Sequence, residues 1–287
     1  MKKILGLFII GAFIAVSFAA PSFAGPSRAI IQEMGSTVGA EEVNIDLDWL
    51  SQGLNVIAAG DTTVGQPANN GTIGGIGLSS VNIGLAEGYE LRLGRLPGIR
   101  SYIGYPVGNP SNLGLSLKAG GIAPGLGLWL GYGSTTLKDA NSGNTAGDTE
   151  NSSMTLGAAY TTTAGAFIVN GELGYSSDSA SATGVSAKGT TSLEIGLAGL
   201  YPLKESILLG IEILSVSTTV ADTADVSVLV PALGARVIPS EHWTIDASVA
   251  YLGGSVNADT KPTDTLKDTA GATVMFGVPN LRINYKF

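Results

Sequence analysis

The chain of 287 residues has no cysteine and one histidine. Without cysteine there is no disulfide framework, no thiolate metal site and no lipid-anchoring thiol. The lone histidine, His242, cannot build a histidine metal cluster, and with no thiol beside it there is no Cys–His nucleophile. No enzyme, metal or cofactor chemistry is expected. Charge is scarce too: Asp, Glu, Lys and Arg make up 13% of the chain, against about 25% in ordinary globular domains. The net charge of −8 argues against a nucleic-acid partner. Beyond residue 24 no apolar run reaches the length of about 18 residues that marks a helical membrane span.

Apolar residues are nevertheless plentiful at 44%, with 41 glycines and a mean hydropathy of +0.31. A water-facing surface needs charge for solubility. Either much of this surface does not face water, or the chain folds poorly. Periodicity excludes the second option. VNIDLDW (Val43 to Trp49) puts apolar residues on odd positions and Asn44, Asp46 and Asp48 between them. VNIGLAEGYELRLGR, LGLSLKA, LGLWLGY, FIVNGELGY, LEIGLAGLY and WTIDASVAY repeat the alternation. Side chains alternate across a strand, so each segment has one greasy and one polar or small face.

The fold class read from this pattern is all-β: an up-and-down antiparallel transmembrane barrel with long loops on one side and tight turns on the other. Strands are expected near 75–86, 88–96, 99–107, 113–120, 126–133, 153–161, 165–176, 190–201, 206–216, 225–237, 243–252 and 271–287, which makes twelve. A hairpin within 42–60 would make fourteen. Stretches such as SSDSASATGVSAKG and STTVADTAD read as long loops, and TTTAG, PLKES and IPSEH as short turns. Residues 208–214 and 226–235 are apolar on both faces and leave their register open. Aromatics fall at the strand ends. Tyr160, Phe167, Tyr201 and Trp243 lie beside short turns, and Tyr132, Tyr175 and Tyr251 beside long loops. Two aromatic girdles flanking an apolar band have this layout. A soluble exported β-sandwich is the alternative fold.

The two ends of the chain fix a compartment. Residues 1–24 carry two lysines, an apolar run and small residues before Ala24, the layout of a signal peptide cleaved there. The last strand carries Leu281, Ile283, Tyr285 and Phe287 on one face. As one long bulged strand it returns the terminus to the short-turn side. This ending resembles the C-terminal assembly signal of bacterial outer-membrane β-barrels. That resemblance implies the outer membrane of a Gram-negative bacterium, contact with lipid and lipopolysaccharide, and insertion by the barrel-assembly machinery. The barrel enzymes of that membrane use a histidine near the outer leaflet or cell surface, whereas His242 lies in a short turn on the opposite side.

The barrel is assigned to residues 42–287, and residues 25–41 to a periplasmic or lumen-entering segment. Inward positions are small, among them Gly84, Gly104, Gly127 and Gly196. They leave a narrow water-filled passage unless loop 134–152 or the N-terminal segment folds inside. Glu172, Glu194 and Glu212 are expected to form a carboxylate row on adjacent strands, with Arg92, Lys118 and Arg282 on other parts of the wall. Two outcomes follow: opposed acidic and basic walls across a pore, or a salt-bridged ladder that closes it. The expected function is passive diffusion of small polar or ionic solutes. A non-conducting structural or adhesive barrel and a channel for hydrophobic compounds are the alternatives.

Overall fold

The computed structural model describes residues 28–30, 32–49, 76–94, 96–97, 113–137, 149–182, 185–220, 224–258 and 276–287. Twelve antiparallel strands close into one ring. They are β1 (Val43–Trp49), β2 (Ile76–Ala86), β3 (Tyr89–Gly94), β4 (Leu113–Ala123), β5 (Leu126–Leu137), β6 (Thr149–Ala164), β7 (Phe167–Ala182), β8 (Val185–Lys204), β9 (Ile207–Val220), β10 (Ala224–Ser240), β11 (Trp243–Ala258) and β12 (Phe276–Lys286). Each strand pairs with its neighbours in sequence, and β1 closes the ring against β12. A closed ring leaves no open sheet edge among the described strands, as a membrane-spanning sheet requires.

The alternation puts lipid-compatible residues outside. On β7 Phe167, Leu173 and Tyr175 are 49%, 52% and 40% exposed, while Ile168, Asn170, Glu172 and Ser176 are buried inside. Leu193, Ile195 and Leu197 of β8 and Leu209, Ile211 and Ile213 of β9 continue this apolar exterior. One rim carries the two-residue turns at Glu87–Gly88, Pro124–Gly125, Gly165–Ala166, Glu205–Ser206 and Glu241–His242. Gly125 has φ 74°, the left-handed conformation that tight hairpin turns require. The chain also ends at this rim, where the Phe287 N–H donates to Val43 O at 2.9 Å. The last stretch is therefore one strand, not two.

The strand list differs from expectation in three places. Residues 43–49 join the ring, and β1 pairs directly with β2, so closure needs no second arm at 54–59; that arm lies outside the described residues. The expected strand at 99–107 also lies outside them, and the ring closes with β3 bonded to β4. Finally, stretches read as long loops continue the ladder: β5 and β6 pair as far as Leu137 with Thr149, β7 and β8 as far as Ala182 with Val185, β9 and β10 as far as Val220 with Ala224, and β11 stays paired with β10 as far as Ala258. These polar sequences keep pairing beyond the apolar band because each has a neighbouring strand to take its backbone hydrogen bonds.

A candidate functional site: the filled lumen

Residues 28–42 cross the interior before β1 begins. Arg28 and Glu33 form an antiparallel bridge, closed by the Ala29 N–H on Gln32 O at 2.8 Å. From this turn the segment follows the inner wall like a strap, meeting the strands in descending order. Ile30 lies at Gly210 of β9 and Gly234 of β10, Gln32 at Gly196 of β8, Gly35 at Gly127 of β5, and Gly39 at Gly84 of β2. A Cβ on Gly84 would stand 1.7 Å from Gly39 O, and one on Gly127 would stand 2.7 Å from Gly35 O. Of the glycines read as open space, Gly84, Gly127 and Gly196 are the seat of the strap, and Gly104 lies outside the described residues.

The strap has no regular structure, so its backbone groups need other partners. Wall side chains supply them. Glu212 accepts the Ile30 N–H at 2.7 Å and the Gln32 N–H at 3.0 Å. Glu172 accepts the Glu33 N–H at 3.0 Å, Thr161 Oγ1 the Gly35 N–H at 2.8 Å and Glu90 the Val38 N–H at 3.0 Å. Arg236 donates to Arg28 O and Ala29 O at 2.9 and 2.8 Å, Arg282 to Ala29 O at 3.0 Å, and Asn170 to Glu33 O at 2.8 Å. Apolar contact adds to this. Ile30 and Met34 join a buried cluster with Ile168, Leu200, Leu208, Leu214, Val216 and Val230.

Several of the buried charges in this interior are paired. The Glu33 carboxylate, 1% exposed, meets Arg92 at 2.7 and 2.9 Å, Lys118 at 3.3 Å and Arg28 at 3.4 Å. Glu33 sits on the strap, not on a spanning strand. Burial pushes its carboxyl up, but Arg92, Lys118 and Arg28 together outweigh burial and hold it well below the usual carboxylate range. Asp246 binds Arg236 at 2.7 Å and also Arg282. Asp46 accepts from Ser80 and Asn82 at 2.9 Å and from Asn284 at 2.7 Å.

The residues singled out from sequence are all inward and buried: Glu172, Glu194, Glu212, Arg92, Lys118 and Arg282. The carboxylates do not form a level row. Glu172 is paired across strands with Gly196, and Glu212 with Ala198, so the three are staggered along the wall. Arg92 and Lys118 are not a bare basic wall either, because both serve Glu33. Sequence reading missed Glu33, Glu90, Arg236, Asp246 and Asp46. The last four occupy polar positions in alternating strands, so their inward orientation was readable. Glu33 had no such signal, because its segment has no strand period.

At the short-turn rim Trp243 and Tyr201 are exposed, Tyr160 is half-buried, and Phe167 lies 5.2 Å from Tyr201. Tyr132 and Tyr175 are exposed towards the opposite rim; the Tyr251 side chain is outside the description. Tyr285 stands 4.5 Å from Trp243 and 4.7 Å from Phe287, while Leu281 and Ile283 are half-buried on the same face of β12. His242 is exposed in its turn and donates through Nδ1 to Lys286 O at 3.0 Å.

No family model and no curated protein matches the chain. Solved structures do. OmpT, an outer membrane protein of Vibrio cholerae, aligns at 19% identity and TM-score 0.41 over 74% of this chain and 64% of its own. The chain thus spans less than two thirds of that protein. An anion-selective porin from Comamonas acidovorans aligns at 15% identity and TM-score 0.37, over 77% of this chain and 63% of its own. The outer membrane channel DcaP of Acinetobacter baumannii aligns at 9% identity and TM-score 0.40, over 88% of this chain and 100% of its own. Likeness at this level carries no argument about activity or solute. The closed antiparallel ring with an apolar exterior and a polar interior has by itself the fold of a transmembrane β-barrel.

Proposed function

We propose that the protein is an outer-membrane channel for small polar or ionic solutes, held shut by residues 28–42. The observation that carries this reading is how the strap is held. Side chains of a polar wall bind its backbone, among them Glu212, Glu172, Glu90, Arg236 and Arg282. Water can take over those hydrogen bonds when the strap leaves, so the emptied wall would be wetted and not collapse as an apolar lumen would. Asp, Glu, Arg and Lys side chains would then line the passage and favour hydrated or charged solutes. Lipid and lipopolysaccharide are the proposed surround, with the C-terminal face of β12 read by the barrel-assembly machinery.

Planar-bilayer recordings on the full chain and on a variant lacking residues 25–39 test this. The full chain should give rare or no openings, and the variant steady single-channel steps. A folded variant that stays silent would overturn the channel reading. It would favour a second one, a non-conducting barrel acting at its outer rim. The paired extensions β7–β8 and β9–β10, with Ser179, Thr191, Ser217 and Thr219 exposed, are the observation behind that alternative.

A further inference from the structure

We infer that the inner groove is a peptide-binding site whose ligand class is a short extended peptide carrying one acidic side chain, with the strap occupying it in cis. Most of the recognition is of backbone. Five successive wall acceptors take strap N–H groups, at Ile30, Gln32, Glu33, Gly35 and Val38. Arg236, Arg282 and Asn170 take strap carbonyls. Such contacts do not depend on the ligand's sequence, as in other grooves that bind extended chains through main-chain hydrogen bonds. The glycines at 84 and 127 clear the path that a backbone needs, and those at 196 and 210 leave room for the Gln32 and Ile30 side chains. Gln32 Nε2 donates to the wall carbonyls of Leu197 and Ile213 at 2.9 and 3.1 Å, and charge recognition falls on one side chain: Arg92 and Lys118, both belonging to the wall and both buried, converge on a single carboxylate. The apolar residues around Leu200, Leu208 and Leu214 seat one aliphatic side chain three positions before it, as Ile30 precedes Glu33.

This inference deepens the channel proposal, naming its solute, and rests on that proposal only for passage through the membrane. Binding can be read without conductance. A protease site placed at the exposed Gly39–Ala40 turn would let the full chain fold first and be cut afterwards. The freed segment would be washed out in high salt, and fluorescently labelled peptides added back. The peptide of residues 25–39 should rebind saturably with one site per barrel. Its Glu33→Gln form should bind at least about tenfold more weakly, since the buried Arg92 and Lys118 then lose their shared counter-charge. An unrelated extended peptide with one glutamate should compete, and its lysine counterpart should not. Binding in a barrel that never conducts would sink the channel reading and leave the peptide site standing. Conductance with no preference between the Glu and Lys peptides would do the reverse. If the segment resists washing out, the variant lacking residues 25–39 takes its place, with heat-modifiable gel migration as the check on folding. Failure of both routes to give a folded, empty barrel would mean that the strap is integral, and would overturn the inference.

Discussion

Glu33→Gln isolates what holds the strap. In the native protein its carboxylate is shared by Arg92, Lys118 and Arg28, none more than 5% exposed at the side chain. Removing one member of a buried ion cluster costs about 3–5 kcal/mol, because the partners keep their burial and lose their compensation. Glutamine retains a carbonyl acceptor, and Arg92 keeps Glu90 at 3.0 Å, so the lower end, about 3 kcal/mol, applies. That corresponds to a strap-opening equilibrium raised roughly 150-fold. Hydrogen–deuterium exchange reads it directly. The amides of Ile30, Gln32, residue 33, Gly35 and Val38 should exchange roughly 100-fold faster, while the ladder amides of β5 to β8 keep their protection. Unchanged strap protection would refute the claim that this cluster is the latch. Equal acceleration in the strands would refute the claim that strap and ring open separately.

Gly84→Val puts a side chain where Gly39 O approaches to 1.7 Å of the Cβ position. The barrel should still show heat-modifiable migration, with exchange protection lost at Val38 and Gly39 first; a strap that stays protected would contradict the seat described here. Acidification should not open the strap through Glu33. A depressed carboxyl contributes its stabilisation above the unfolded value of 4.5 and loses it only as pH falls through the lower folded value. Glu33 should therefore keep its charge from pH 7 down to about pH 4, and a residue-33 carboxyl carbon resonance that titrates near pH 5 would count against this assignment. Tyr285→Ala removes ring contacts to both Trp243 and Phe287, worth about 1–3 kcal/mol together. Its gel-shift midpoint temperature should fall, and an unchanged midpoint would reduce the cluster to a surface feature.

The wall of this barrel was legible because an apolar exterior and a polar interior impose a period of two, and nearly every strand obeys it. Where the period blurred, the structure supplies the reason. Leu208, Leu214 and Val230 face inward against Ile30, so β9 and β10 carry apolar residues on both faces by design of the interior, not through loss of register. The strap was not legible in the same way. Its neighbours are wall residues far along the chain, and an irregular segment bonded through its backbone leaves no spacing to read. The inward glycines were visible as small residues, yet smallness alone does not tell an open space from a fitted one. Arg92 and Lys118 looked like a basic wall because their counter-charge, Glu33, stands 59 and 85 positions away.

Ala29 accepts a hydrogen bond from Arg282, a residue 253 positions later, although the strap is the first described part of the chain. A ribosome delivers the bolt long before the last plank of the door frame exists. Until β12 meets β1, nothing can fasten those early residues along their full path, and contacts of such sequence separation form late. Assembly must therefore run through an unsealed ring, with closure of the seam and sealing of the bore as its final events.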